Sequence, residues 1–276
     1  MRAYFTILSY ILVALIASCG QIVREAKVPI DSYSAKEIFD LGEKKLDLNR
    51  PVEAAGYFGE IERLFPYSEF TKRGLVMQAF SFHKALDYPN SRSSAQRYLN
   101  FYPASEDAAY AQYILALSYY DQIADVGRDQ AITLKALREL RILIERYPDS
   151  NYDDEAEIMF DLAFGYLAAK EMEVGRYYLQ KGHHSAAVNR FRVVVQDFRD
   201  SSQTPEALYR LIEGYLSLGL HAEAQSAGAV LAEQYGSSDW FENSILLLDK
   251  NGLSPDALND NWLSQIYRQM IKGQWL

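Results

Sequence analysis

Few residues in this chain have the type and spacing to do chemistry. It holds one cysteine, Cys19, and four histidines. His183 and His184 are adjacent, so on a helix their side chains diverge by about 100°. Neither has a second ligand at the three- or four-residue spacing of a metal site, so the pair is expected to form a solvated turn. His83 and His221 are isolated, and the carboxylates scatter along what would be solvated helix faces. No glycine-rich phosphate loop or nucleophile elbow follows a strand pattern. Catalysis, a metal and a cofactor are therefore not expected. The one nucleophile with a telling context is the Cys19 thiol, which closes an apolar run from Tyr4 to Ile16 preceded by Arg2.

That run is shorter than the roughly 18 residues of a membrane span and has the layout of a secretory signal. Its end, Leu15-Ile16-Ala17-Ser18-Cys19, resembles the bacterial lipobox. The resemblance implies that the thiol takes a diacylglyceryl group, the peptide is cut before Cys19, and the new amine is acylated. A signal ending at an ordinary small-residue site beside an incidental cysteine is the other reading. No second cysteine exists to pair with Cys19 in an oxidising compartment. At roughly 0.8 kcal/mol per buried methylene, several acyl chains make a stable anchor. Gly20 stands where Asp would favour retention in the inner membrane, so the resemblance implies the outer membrane. The expected organisation is a signal over 1–18, then a lipidated tether over 19–33 that contains Pro29.

The elements that follow are organised by a phrase that returns. It reads Arg63-Leu64-Phe65-Pro66-Tyr67-Ser68, Asn100-Phe101-Tyr102-Pro103-Ala104-Ser105 and Arg146-Tyr147-Pro148-Asp149-Ser150. Looser copies stand at Asp197-Phe198-Arg199-Asp200-Ser201 and Gln234-Tyr235-Gly236-Ser237-Ser238. An aromatic closes a helix, proline forbids its continuation, and a serine two places on is expected to cap the next helix. The aromatics are 37, 45, 51 and 37 residues apart, close to the roughly 34-residue tetratricopeptide (TPR) period plus insertions. The predicted fold is all-α, a solenoid of about five TPR-like helix-turn-helix repeats with a C-terminal capping helix.

Repeats one and two occupy 34–105, repeats three to five 106–238, and a helical tail 239–276. Gly42, Ala54 and Ile61 fall where TPR helices approach closely, and in repeat four Gly175 and Tyr178 stand at repeat positions relative to Ala187. The surplus in repeat three falls in a polar loop, Asp121 to Gln130. The surplus in repeat four extends its first helix, Asp154 to about Gln180, so that it should bridge into repeat three. In the tail, Trp262, Ile266 and Met270 are four apart beside Leu263 and Tyr267, one helical face suited to capping the array or meeting a partner.

A TPR array offers a concave groove for an extended peptide. Its groove positions in repeats one and two include Phe39, Arg73, Phe80, His83 and Lys84, an aromatic and basic set that complements a peptide with an aromatic side chain and a free carboxylate. The same positions also fit core packing for Phe39 and Phe80, and ordinary surface charge for Arg73 and Lys84. With a net charge of −9 and a pI near 5.1, the chain has no dense basic stripe for nucleic acid.

Several segments together resemble the BamD family of lipoproteins. They are Phe65-Pro66-Tyr67-Ser68-Glu69-Phe70, Val126-Gly127-Arg128-Asp129-Gln130, Tyr147-Pro148-Asp149-Ser150-Asn151-Tyr152, and the run Tyr177-Tyr178, Gly182, Ala187-Val188-Asn189-Arg190. The likeness spans Ser34 to Tyr235. It departs at Arg199, where the family usually has proline, and in the tail after Asp239. It implies a non-catalytic scaffold at the periplasmic face of the outer membrane. Its C-terminal repeats would hold the barrel protein BamA within the β-barrel assembly (BAM) machinery, beside other BAM subunits. Its N-terminal repeats would receive the aromatic-ended C-terminal signals of unfolded outer-membrane proteins. Asn189 and Arg190 are the positions it places near BamA. A periplasmic TPR adaptor for cell-wall or secretin machinery, or a cell-wall or lipid enzyme with an unrecognised site, would share the anchor and repeats.

Overall fold

A computed structural model describes residues 29–256, 262, 263 and 265. Cys19, the signal and most of the tether lie outside the described residues, as do Ile266, Tyr267 and Met270. Eleven α-helices and no strand are found among the described residues: α1 (Ala35–Asp47), α2 (Pro51–Leu64), α3 (Glu69–Lys84), α4 (Tyr88–Phe101), α5 (Ala108–Tyr120), α6 (Ala131–Arg146), α7 (Asp153–Gln180), α8 (His184–Asp197), α9 (Thr204–Ser217), α10 (His221–Tyr235) and α11 (Asp239–Lys250).

Local chemistry sets the ends of these helices. Ser34 opens α1 with a capping box: its hydroxyl accepts from the Glu37 amide, and Glu37 accepts from the Ser34 amide at 2.8 Å. Pro51, with no amide to leave unpaired, starts α2, and Asp87 caps α4. At four corners the residue ending the helix takes one conformation, φ −134° to −125° and ψ 35° to 56°, at Phe65, Tyr102, Tyr147 and Phe198. Arg199 follows Phe198, so the geometry does not require proline. Tyr235 is instead the last residue of α10, and Gly236 follows it as the cap.

The expected serine caps are found only in part. Ser68 and Ser238 accept from Phe70 and Phe241 amides at the start of α3 and α11. Ser150 bonds the Tyr152 amide one residue before α7. Ser105 caps nothing; its hydroxyl lies 2.6 Å from that of Tyr98, whose ring is fully buried and whose phenol needs a partner more than an exposed helix end does.

Within repeats one, two, four and five the turn between helices puts one residue in the left-handed region two places before the second helix: Asn49, Leu86, Gly182 and Gly219. Paired helices then approach where side chains are smallest. A Cβ on Gly42 would lie 2.6 Å from the Phe58 ring, and one on Gly175 2.4 Å from the Phe191 ring. Successive first helices, α1 with α3, α3 with α5 and α5 with α7, also touch one another, which places them on the inner side of the stack.

Helix α7 is the joint of the array, as its length predicts. Ala156 and Met159 pack with Leu140 and Leu143 of repeat three. Ala168 and Met172 pack with Phe191 and Leu211 of repeats four and five. At about 100° per residue these two faces point about 170° apart around the helix. Lys170, between Ala168 and Met172, donates to the Gly127 carbonyl at 2.9 Å, so the 121–130 loop rests on α7. Helix α11 packs on α9 and α10, with Leu248 fully buried. Leu263 is buried in the same core, and the Trp262 indole donates to the Tyr215 hydroxyl at 3.0 Å.

Candidate functional site

The inner side of repeats one and two is built on α3, whose residues 73, 77, 80 and 84 recur at helical spacing and so share one face. Arg73 and Lys84 at its ends are exposed. Over 11 residues at 1.5 Å each they stand about 16 Å apart, the span of about five extended residues. Phe80 between them is half-buried against the second core cluster. Met77, absent from the sequence expectation, lies on the same line, wedged between the first and second clusters. Its residue type gives no functional signal; only its register with Arg73 and Phe80 does.

Phe39 is a correction. It is 2% exposed, with its ring 5.3 Å from Phe58 and 5.6 Å from Phe70. It is therefore core and has no free face for a ligand. Its contribution is indirect: the Arg73 guanidinium lies 4.7 Å from its centroid, and that cation–π contact holds the charge over the inner surface. His83 is half-buried with Nε2 3.0 Å from Asp121 Oδ2, and the Tyr88 ring stands edge-on at 5.5 Å. It links α3 to the start of the 121–130 loop instead of pointing along the Arg73–Lys84 line.

Asn189 and Arg190 sit far along the array on α8, both exposed. Arg190 is bound to Glu171 of α7 at 3.0 Å. With Tyr178, Ala186 and Val193 they line a shallow hollow between α7 and α8. The structure thus groups the expected residues into two separate surfaces, one basic on α3 and one mixed on α8. Behind the second lies an ionic cluster the sequence did not flag. Arg176 grips Glu206 through Nε at 2.9 Å and a second nitrogen at 2.5 Å, while Arg210 reaches Glu206 at 3.2 Å and Glu213 at 2.7 Å. Burial alone would raise the Glu206 carboxyl, but Arg176 and then Arg210 hold it below the usual carboxylate range.

Among the described residues no group of three or more His, Cys, Asp or Glu is placed to hold a metal. No described helix is long and apolar enough to cross a membrane.

The sequence profile of the family described as YfiO, outer membrane lipoprotein, matches residues 31–231. A Caulobacter vibrioides protein named outer membrane protein assembly factor BamD is 37% identical over 254 residues, which is 92% of this chain and 83% of the relative. A Rickettsia prowazekii protein of the same name is 37% identical over 203 residues, covering 74% of this chain and 81% of the relative. A thermophilic TPR protein of Thermus thermophilus aligns with 77% of this chain and 100% of its own at 19% identity and a TM-score of 0.37. With a profile match over most of its length and relatives at this identity, the chain belongs to the YfiO family of outer membrane lipoproteins, which includes the BamD assembly factors.

Proposed function

We propose that the chain is a non-catalytic scaffold and receptor in outer-membrane β-barrel assembly. It hangs by lipidated Cys19 from the periplasmic face of the outer membrane. It holds BamA around Asn189 and Arg190 and takes the C-terminal signals of unfolded barrel proteins on the inner side of repeats one and two. The observation that carries the receptor half is the α3 face: two exposed cations about 16 Å apart with apolar surface between them. A peptide laid along it can place a terminal carboxylate at one cation and an aromatic side chain on Phe80 and Met77. Rigid helices hold these groups in place before binding, which lowers the entropy lost on capture.

Affinity purification of the intact lipoprotein from membranes should recover BamA, and a clean preparation without it rejects the scaffold half. A peptide ending in Phe should bind the mature chain. Arg73→Glu should weaken it about tenfold or more, since a charge-assisted contact worth ~1.5–3 kcal/mol becomes repulsive. An amidated C-terminus should lose the same factor. Unchanged affinity in both would place the peptide elsewhere.

A further inference from the structure

The N-terminal half of α7 carries an apolar line that no described residue covers. Ile158 is 63% exposed, Leu162 53% and Tyr166 41%, and four-residue spacing stacks them on one side of the helix. A Cβ added at Gly165 beside them would meet nothing within 4 Å. The line exists because the packed face of α7 swings round between repeats three and four, leaving the surface between the two faces uncovered. At its far end Tyr166 comes within electrostatic reach of the Tyr120 hydroxyl of α5, so the line opens toward the inner side of the array.

Its rim is mostly acidic, with one cation facing it: Arg141 of α6 lines a hollow with Glu157 and Asp161, its guanidinium 5.4 Å from the Phe160 ring. Asp154, Glu155 and Asp161 are the helical neighbours of Ile158 at three and four residues, and Glu157 adjoins it; all four are exposed. The segment from Tyr147 to Ala169 contains no Lys or Arg. Ion pairs on α7 begin only at Lys170 and Glu171. Acids in the first turn suit the helix dipole; Glu157 and Asp161 lie beyond its reach and share their hollow with Arg141 alone, so the four acids on this side outnumber the one cation.

We propose that this line is a docking surface for a cationic amphipathic segment of another polypeptide. Its apolar residues cover Ile158 and Leu162, and its Lys or Arg residues stand beside Asp154, Glu157 and Asp161. An anionic lipid surface would be repelled by the same rim. A chain of net charge −9 is a poor partner for itself there. The site is separate from the α3 face and opposite in sign, so it does not depend on the receptor reading.

The test is fluorescence anisotropy of the full mature chain with a labelled 18-residue amphipathic peptide of Leu and Lys, beside its Leu and Glu counterpart, at physiological salt. The cationic peptide should bind and the anionic one should not. Ile158→Asp with Leu162→Asp should weaken binding at least tenfold, as should Asp154→Lys with Asp161→Lys. Leu246→Asp, at a leucine 71% exposed on α11, should leave it unchanged. All these positions are exposed, so circular dichroism should show intact helix in every variant. Equal loss in the Leu246 control, equal binding of the anionic peptide, or no loss in the double variants overturns the proposal. A dimer in sedimentation that Ile158→Asp with Leu162→Asp dissolves would overturn it in favour of self-association.

Discussion

Single residues carry much of the specification here, and the clearest are those with almost no side chain. Phe191 fills the space beside Gly175, so Gly175→Ala must push a fully buried ring aside. Overpacking of this kind costs about 1–3 kcal/mol, and urea unfolding should show that loss, while Gly165→Ala, with open space, should be neutral or mildly stabilising. Glu206 gives a second test. Its folded value lies below the ordinary 4.5, so its contribution is complete above that value and is lost as pH falls through the lower, folded one. Glu206→Gln should cost ~1–3 kcal/mol at pH 7, and thermal melts of variant and parent should converge as pH falls below 4. Gly175 was legible as a position because it stands in TPR register; Gly165 carried no such signal. The Glu206 cluster was not, because Arg176 and Glu206 are 30 residues apart and nothing local pairs them.

At the scale of elements, the sequence announced where helices stop more clearly than how the chain turns between them. The aromatic corners were visible from Pro66, Pro103 and Pro148, yet Phe198 takes the same backbone geometry with Arg199 in place of proline after it, so proline is not what sets the turn. The left-handed residue inside repeats one, two, four and five was legible only where it is glycine. Leu86 adopts φ 61° while 70% exposed, a conformation that costs an L-residue about 1–2 kcal/mol. Part of that returns as backbone entropy in the unfolded state, so Leu86→Gly should stabilise the chain by ~0.5–1 kcal/mol. Equilibrium denaturation measures it, and Gly219→Leu should move the other way. Helix α11 was expected only as part of a helical tail. Its pattern, Phe241, Ser244 and Leu248 on one side, was there to be seen, but the aromatic repeat that organises the rest stops at Tyr235.

Over the whole molecule, the consequence of repetition is that stability is shared between neighbours and not pooled in one centre. The first three core clusters each draw on one repeat and its successor, whereas the fourth runs from Ala168 through α8, α9, α10 and α11 to Leu263. Solenoids of this type lose stability locally when an end is uncovered. Removing residues 239–276 strips Leu248 from Gly228 and Trp262 from Tyr215 and Arg192. It exposes the flank of α9 and α10, where Leu208, Leu211 and Ile212 are fully buried. Losing three or four large apolar contacts at roughly 1.5–3 kcal/mol each would destabilise that end by more than a typical repeat interface can absorb. Amide hydrogen exchange on the truncated chain should therefore show protection falling in α8, α9 and α10 and holding in α1 to α4, with α7 divided at about Tyr166 between a loose C-terminal half and a protected N-terminal half. A uniform loss across all helices would mean that the array folds as one cooperative block. No loss at all would mean that the tail's place is on a partner and not on this chain.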